Sequence, residues 1–264
     1  MLKINNLNKS FHSELGSEKK IFKGLNFQLN HGDFVSIIGS NGAGKSTLLN
    51  IIMGNITPDG GNLYMEGRDF TDLATYKRNT FISKVYQNPA LGTAPSMTIF
   101  ENLSMADNKG KRFNLTLGLN KKKKEIYKNT LTELGLGLEK QLDTEVGLLS
   151  GGQRQCLALI MATLNKPKIL LLDEHTAALD PKTSELIMEK TKKIVESHKI
   201  PTLMITHNLN DAIKYGNRLI MLHEGKIILD FAGEEKQNLT PEKLLKIFHT
   251  QNTAIKDDEL FSLS

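Results

Sequence analysis

The stretch that decides the fold is Gly39-Ser40-Asn41-Gly42-Ala43-Gly44-Lys45-Ser46-Thr47, which directly follows the apolar run Phe34-Val35-Ser36-Ile37-Ile38. It has the glycines, the lysine and the hydroxyl residue of a phosphate-binding loop at the required spacing, between a predicted strand and a predicted helix over 46–53. Glycines at 39, 42 and 44 allow the backbone to curl until its N–H groups face phosphate oxygens, and the next helix directs its positive end there. The sequence therefore predicts a nucleoside triphosphate site.

Individual side chains in and after this loop have separate predicted roles. Lys45 would reach the β and γ phosphates, Ser46 would supply a hydroxyl to Mg²⁺, and Thr47 would donate to phosphate. Asp173 and Glu174 end a later apolar run that we interpret as a strand. Asp173 is placed to hold Mg²⁺, directly or through water, and Glu174 to orient and deprotonate an attacking water. The two acids are thereby predicted to divide metal binding and catalysis.

A second predicted anion site lies in the sequence Leu149-Ser150-Gly151-Gly152-Gln153. Ser150 is placed as a helix N-cap, because Cys156, Leu159 and Ile160 follow at helical spacing. The two glycines permit close backbone approach at the positive end of that helix.

Composition limits the class of protein. A chain of 264 residues with 39% hydrophobic content can bury one sizeable core. The net charge of +5 suits an anionic surface without identifying one, and we interpret Lys121-Lys122-Lys123-Lys124 as a solvated helix start. The single cysteine, Cys156, cannot form an internal disulfide. Apolar stretches fall short of the roughly 20 residues that cross a bilayer, and Met1–Asn6 lacks the apolar block of a secretory signal, so we expect a cytosolic protein or one docked on the cytosolic side of a membrane.

The first half of the chain is predicted to contain an antiparallel β layer and a helical insertion. Two β-like runs over 2–11 and 21–29 flank a polar insert that we interpret as a hairpin loop, and strand-like sequence continues to Val85-Tyr86. From Pro89 to Gly147 the pattern becomes helical, and we place a helical subdomain at about 89–160. One predicted helical stripe there contains Ile126, Thr130, Leu131 and Leu134.

The second half is predicted to alternate strands and helices. β-like runs over 169–172 and 202–206 flank an amphipathic stretch over 183–197, which is typical of a doubly wound parallel sheet. A hairpin over 218–230 and a helix over 241–249 follow. We expect one domain over 1–250 and a polar tail over 251–264.

Together these motifs resemble the nucleotide-binding subunit of an ATP-binding cassette (ABC) transporter, and the likeness covers nearly the whole chain. The resemblance implies an α/β P-loop NTPase fold with a RecA-like core, an antiparallel β subdomain and an inserted helical subdomain. It also implies ATP and Mg²⁺ as cofactors. The family's pattern falls on Phe11 as the adenine-stacking residue, Gly39 to Thr47 as Walker A, Gln87 as the Q-loop residue, Leu149 to Gln153 as the signature, Asp173 and Glu174 as the end of Walker B, Ala177-Ala178-Leu179-Asp180 as the D-loop, and His207 as the switch histidine.

By this resemblance, catalysis involves Lys45, Gln87, Glu174 and His207, and metal binding involves Ser46, Gln87 and Asp173. The resemblance also implies a homodimer in the ATP-bound state. Its two subunits pair head to tail, so that ATP on the loop of one is capped by the signature of the other. Hydrolysis removes the γ-phosphate and releases the pair.

Two positions depart from the usual family pattern. His175 stands where a proline follows the catalytic glutamate, and Ala177 stands where a serine opens the D-loop. Proline at 175 would restrict Glu174 to extended backbone, so histidine relaxes that constraint and puts a titratable ring near the γ-phosphate site. The simpler interpretation, which we favour, is a tolerated loop substitution.

Three functions stay open at this point. In the first, the chain energises an importer with separate transmembrane permease subunits, which would contact the region of Pro89 to Glu101. The run from Asp173 to Thr183, with Gly92-Thr93-Ala94-Pro95, resembles a bacterial importer branch that has an extracytoplasmic substrate-binding protein and a proposed role in tryptophan or tyrosine uptake. In the second, the chain serves an exporter or a lipid- or lipoprotein-extracting system.

The third function is that of a soluble ABC protein acting on ribosomes or DNA. Such proteins usually carry two cassettes in one chain or a long coiled coil, and this sequence shows neither, so we expect no nucleic-acid partner. Either transport function places the chain on the cytoplasmic face of the cell membrane as a peripheral protein.

Overall fold

The computed structural model of the protein describes residues 1–12, 17–111, 121–133 and 135–251. Its strands are β1 (Leu2–His12), β2 (Glu18–Leu29), β3 (Phe34–Ile38), β4 (Gly60–Met65), β5 (Arg68–Asp69), β6 (Ile82–Val85), β7 (Ile169–Asp173), β8 (Thr202–Ile205), β9 (Arg218–His223) and β10 (Lys226–Ala232). Its α-helices are α1 (Lys45–Met53), α2 (Thr75–Arg78), α3 (Ile99–Asn108), α4 (Lys124–Thr132), α5 (Gly151–Thr163), α6 (Pro181–His198), α7 (Leu209–Lys214), α8 (Gly233–Gln237) and α9 (Pro241–Gln251).

The chain divides into two compact units. The first contains Met1–Arg78 and the chain from Lys199 onward. Within it, β2-β1-β4-β5 form an antiparallel sheet, while β3 pairs in parallel with both β8 and β9, and β10 closes the edge antiparallel to β9. The second unit, Asn79–His198, contains the parallel pair β6 and β7 together with α3 to α6. Both parallel and antiparallel pairing are therefore present, as the sequence predicts.

The strand and helix on either side of the glycine loop are almost completely buried. All five residues of β3 are buried, as expected of a continuous apolar strand with parallel neighbours on both sides. Helix α1 buries residues on most of its faces and ends at Gly54, whose φ of 80° is the left-handed conformation that stops helices. The predicted helix over 46–53 is confirmed, with its first residue at Lys45.

Arg78 holds the far end of α1. Its guanidinium donates to the carbonyl oxygens of Ile51 at 2.8 Å and Ile52 at 3.1 Å, in the last turn of that helix. It also donates to the carbonyl oxygens of Leu73 at 2.7 Å and Thr71 at 2.5 Å, and only 3% of the residue is exposed. A single cation thus donates to four carbonyl oxygens at and beyond the end of α1, two of them in the last turn of the helix.

Two predictions about the first 85 residues need correction. The hairpin loop is shorter than expected, because β2 begins at Glu18 and its exposed polar residues continue to pair with β1, as in Phe11 opposite Lys19. Residues 13–16 of the predicted loop lie outside the described residues. The run Ile82–Val85 does not extend the antiparallel layer; it pairs in parallel with β7, since the antiparallel sheet ends at β5 and the chain then turns through α2.

The predicted stripe on α4 is also wrong by one residue. Tyr127 and Leu131 are the buried residues of this helix, whereas Ile126 is 59% exposed. The Tyr127 ring packs 5.9 Å from that of Phe100 on α3, which a pattern counted from aliphatic residues alone does not reveal. Leu134, the fourth predicted member, lies outside the described residues.

The lysine run before α4 forms a 3₁₀ turn over 121–123 and then begins the helix, as predicted. It is more than a solvated face, however. Lys123 pairs with Asp107, and Lys124 lies 2.7 Å from Asp143. Hydrogen bonds from Lys123, Lys111 and Tyr127 outweigh burial and lower the pKa of Asp107 to about 2.

The later elements follow the predicted order. The amphipathic stretch forms α6, β9 and β10 form the predicted hairpin, and α9 extends to Gln251, two residues beyond the expected end. In the part of the chain that the structure describes, no helix is both long enough and apolar enough to cross a membrane.

We predict that Arg78→Met lowers the free energy of unfolding by about 3 kcal/mol, because it leaves buried carbonyl oxygens without their charged donor. Urea unfolding of the purified chain measures this loss. Lys77→Met is the matched control, since Lys77 is exposed on the same short helix and should change stability by less than about 0.5 kcal/mol. A loss in Arg78→Met no larger than that of the control would show that the guanidinium does not stabilise this end of α1.

Candidate nucleotide site

The glycine loop adopts a backbone that other residues cannot readily copy. Gly39, Gly42 and Gly44 have φ values of 149°, 80° and 103°, all in the region that favours glycine. A Cβ atom added at Gly39 would lie 2.0 Å from the carbonyl oxygen of Leu222, and one at Gly44 would lie 2.9 Å from the Phe22 ring. Conformation and close packing therefore both require glycine in this loop.

Lys45 is folded into the loop. Its Nζ donates to the carbonyl oxygens of Gly39 at 2.5 Å and Ser40 at 3.0 Å, and only 6% of the residue is exposed. Gly44 stands at the N-cap of α1 and has no side chain with which to cap the helix. The loop thus combines a fixed cation with the positive end of a helix, an arrangement that binds phosphate.

A basic cleft of about 710 Å³ adjoins the loop on the same unit. Its lining includes Ser40, Asn41 and Gly42 of the loop, and Lys19, Lys20, Lys23 and Lys226 from the surrounding strands. Four lysines beside one glutamate, Glu224, give this cleft a positive charge that favours a polyphosphate.

Phe11 and His207 both belong to the unit that carries the loop. Phe11 is 39% exposed near the tip of the β1–β2 hairpin, with the Lys9 ammonium 5.4 Å from its ring centroid. His207 is half-buried and follows β8, which runs parallel to β3 with Ile37 opposite Ile205. Because parallel strands end at the same edge of a sheet, the topology brings His207 and the glycine loop to one edge.

The second unit brings Gln87 and the two acids together at another pair of parallel strand ends. β6 and β7 run side by side with Val85 opposite Leu172, so that Gln87 and Asp173 both lie just beyond that register. Gln87 is exposed, and the Asp173 side chain is 17% exposed. Glu174 has a φ of 48°, a left-handed conformation that is uncommon for a residue with a side chain.

His175 packs into the interior of this unit. It is 2% exposed, and its Nε2 lies 3.3 Å from Thr191 Oγ1 on α6. Burial lowers the pKa of His175 to about 4, so the ring is neutral at physiological pH. This supports the simpler interpretation, a tolerated substitution, and shows the histidine packed in the interior. A proline here would favour extended backbone at Glu174, in conflict with its left-handed conformation.

The signature segment begins α5 as predicted. Ser150 is the N-cap: its Oγ accepts from the Gln153 N–H at 3.2 Å, and Gln153 Oε1 accepts from the Ser150 N–H at 3.1 Å. Ser150 and Gly151 are exposed. A Cβ atom at Gly152 would lie 2.4 Å from Thr183 Cγ2, so this glycine is also required for packing against α6. The helix tip is therefore capped by its own side chains and open to solvent.

The D-loop follows the acids and ends at the start of α6. The Ala177 N–H donates to the Glu174 carbonyl oxygen at 3.0 Å, and Ala177 is exposed. Asp180 accepts from the Thr183 N–H at 3.0 Å, and the Thr183 hydrogen bonds lower the pKa of Asp180. The segment therefore has a defined turn although the usual serine is absent.

Sequence reasoning missed two residues that position this part of the site. Gln155 on α5 is 1% exposed and donates through Nε2 to the Tyr86 carbonyl oxygen at 3.0 Å, directly before Gln87. Lys84 on β6 lies 2.7 Å from the Asp173 carboxylate. The sequence did contain a signal for Gln155 and Lys84. Each is a polar residue within an otherwise apolar segment, and a buried polar side chain needs a hydrogen-bonding partner.

Comparison with known proteins identifies the family. The ABC transporter family matches residues 22–177. The chain belongs to the ABC transporter family. It is 54% identical over 248 residues to a tyrosine transport ATP-binding protein of Clostridioides difficile, which covers 94% of this chain and 98% of that protein.

Two further relatives support this assignment. The chain is 34% identical over 239 residues to the spermidine/putrescine import ATP-binding protein PotA of Haemophilus influenzae, covering 89% of this chain and 59% of that protein. A dimeric ATP-binding cassette, solved in a post-hydrolysis state with ADP and phosphate, superposes with a TM-score of 0.73 at 31% identity, over 88% of this chain and 98% of that one.

The ABC family assignment settles the coarse function and the fold. The chain is an ATP-binding subunit of a transporter and an ATPase, and the prediction of an α/β P-loop fold is confirmed. The roles of the individual site residues stay predictions, supported by the geometry of the loop, the strand ends and the helix tip.

We predict that acid destabilises the protein partly through His175. The folded-state pKa of about 4 lies below the usual 6.5, so the unfolded chain takes up this proton first as pH falls. Stability from the neutral ring is thus present above pH 6.5 and is lost between pH 6.5 and 4, by about 3 kcal/mol in total.

The measurement is urea unfolding at pH 7 and pH 4.5 for the natural chain and for His175→Asn, which does not titrate in this range. The natural chain should lose more stability than the variant over that interval. Equal losses in the two proteins would contradict a neutral, buried ring.

Proposed function

We propose that this chain binds ATP and Mg²⁺, dimerises head to tail and energises a multi-subunit importer of an aromatic amino acid. The observation that carries the proposal is the 54% identity to a protein named for tyrosine transport over nearly its whole length. The name of PotA includes import, which supports the direction. An exporter or extracting system lacks a comparable observation in its favour.

Head-to-tail dimerisation explains why one chain carries two helix starts suited to anions. The glycine loop directs the N-terminus of α1 at phosphate, and Ser150 begins α5 at an exposed tip. ATP held by Lys45 of one subunit would be capped by Ser150 and Gly152 of its twin, so the γ-phosphate would join the two surfaces. The related dimeric cassette with ADP and phosphate supports such an assembly.

The residues assigned to Mg²⁺ suit that ion. Ser46, Gln87 and Asp173 offer hydroxyl, amide and carboxylate oxygens, the hard donors that Mg²⁺ prefers. When bound, Mg²⁺ neutralises charge on the β- and γ-phosphates.

The chain's own residues perform the remaining steps in this proposal. Lys45 binds the phosphates, and Phe11 stacks on the adenine. Glu174 orients the attacking water and accepts its proton. Gln87 and His207 complete the set of side chains around the water and the γ-phosphate. Loss of the γ-phosphate removes the charge that joins the subunits, which converts hydrolysis into opening of the dimer.

Partner proteins supply the membrane passage and the substrate site. We assign the permease contact to a groove of about 330 Å³ on the second unit, next to Gln87. Its lining includes Pro89, Gly92, Met105 and Met161. An extracytoplasmic binding protein would deliver the substrate. The chain would then act as one cassette over 1–250, with a helical subdomain at about 89–160, on the cytoplasmic face of the membrane.

A transport assay tests this function. We predict that cells lacking the chain lose uptake of radiolabelled tyrosine and regain it with the natural sequence. Glu174→Gln should not restore uptake, because loss of a general base costs about 10²-fold or more in hydrolysis. Glu125→Gln, an exposed glutamate of α4, is the matched control and should restore uptake fully. Uptake that is unchanged in cells lacking the chain, or tyrosine that accumulates in them, would overturn the import proposal.

A further inference from the structure

Lys84, whose side chain is buried, forms an ion pair with the half-buried acid assigned to Mg²⁺. It stands in β6, next to β7, and its Nζ lies 2.7 Å from Asp173 Oδ2. The Lys84 side chain is only 4% exposed. Its ammonium also lies 4.9 Å from the ring centroid of Tyr86, which directly follows β6. The carboxylate of Asp173 is thus held by a charge that sequence reasoning did not assign to the site.

Packing alone does not account for a lysine at this position. A buried ammonium requires a partner. Replacing both members of a buried ion pair by apolar residues of similar volume is often neutral or stabilising, so protein stability does not by itself require a lysine here. Here Asp173 and Glu174 are adjacent acids in one turn of chain. Lys84 compensates the charge of the first acid. Its ammonium contacts Oδ2 of Asp173, which orients the carboxylate with Oδ1 as the second oxygen for a metal ion.

The same contact affects any cation that approaches Asp173. A divalent ion on this carboxylate would lie within a few ångströms of the Lys84 ammonium, and repulsion over such a distance is appreciable even near a protein surface. The attraction of Asp173 for a free metal ion is therefore reduced. Nucleotide phosphates bring enough negative charge to offset this repulsion, so the ion and the nucleotide would enter together.

We propose that Lys84 is a positioning residue that orients the Asp173 carboxylate through Oδ2 and weakens its affinity for a divalent cation in the absence of nucleotide phosphates. The inference rests on the proposed role of Asp173 in binding Mg²⁺. The function of Lys84 would be to prevent the metal ion from binding to Asp173 before the nucleotide binds.

Mn²⁺ binding, followed by the electron paramagnetic resonance signal of the free ion, tests the proposal without ATP hydrolysis. Lys84→Gln keeps a hydrogen-bond donor and removes the charge. We expect it to lower the Kd for Mn²⁺ without nucleotide by about tenfold, because a cation near the metal is lost, and to lower it by less at saturating ADP, whose phosphates offset the repulsion. Mn²⁺ alone should also bind measurably to Lys84→Gln and less tightly to the natural chain. Lys84→Arg retains the charge and should stay within about twofold of the natural chain.

Three controls give each outcome a meaning. ADP binding in EDTA should be equal in all variants, which shows that the glycine loop is intact. Lys84→Met removes both the charge and the hydrogen-bond donor, and it should tighten Mn²⁺ binding as Lys84→Gln does. Asp173→Asn should weaken Mn²⁺ binding and abolish the gain in the double variant with Lys84→Gln.

Two results would overturn the proposal, and they are distinguishable. If Asp173→Asn weakens Mn²⁺ binding but both charge-removing variants bind Mn²⁺ no more tightly than the natural chain, then Lys84 has a structural role only and the metal assignment stands. If Asp173→Asn leaves the Kd for Mn²⁺ unchanged, then Asp173 does not bind the metal, and both the assignment and the inference fail.

Discussion

The rest of the structure depends on one constraint, the backbone of the loop between β3 and α1. Its N–H groups can face phosphate only if the chain takes left-handed conformations that side chains rarely adopt, and only if it packs directly on neighbouring backbone. Gly39 and Gly44 meet both demands. The buried strand before the loop and the Arg78 contacts at the far end of α1 then hold the loop in place from both sides.

Charge is arranged around the site in a consistent way. Lysines surround the glycine loop, and Lys45 lies folded into it, so the loop is ready for an anion. The acids stand in the other unit, at the end of β7, where Lys84 already compensates Asp173. His175 is neutral and buried, so the residue that departs most from the family pattern adds no charge beside Glu174. Each unit thus carries its own compensated charges, lysines around the glycine loop in one and Lys84 beside Asp173 in the other.

Motifs with strict spacing were predictable from the sequence, whereas pairings between distant segments were not. The loop, the helix that follows it and the Ser150 cap follow from local chemistry, and each appears where expected. The partner of β6 depends on tertiary context, because a strand of four residues carries too little pattern to distinguish parallel from antiparallel neighbours. The contact of Lys84 with Asp173 joins positions 89 residues apart in sequence, and a local pattern carries no information about such a pairing.

The central claim of this account is that one γ-phosphate joins the glycine loop of one subunit to the Ser150 tip of another. Size-exclusion chromatography with light scattering, applied to Glu174→Gln at saturating ATP and Mg²⁺, tests it most directly. The account predicts a dimer that forms with ATP, dissociates with ADP, and is abolished when Ser150→Glu places a negative charge at the helix tip. A Glu174→Gln chain that stays monomeric with ATP, or one whose dimer tolerates Ser150→Glu, would contradict it.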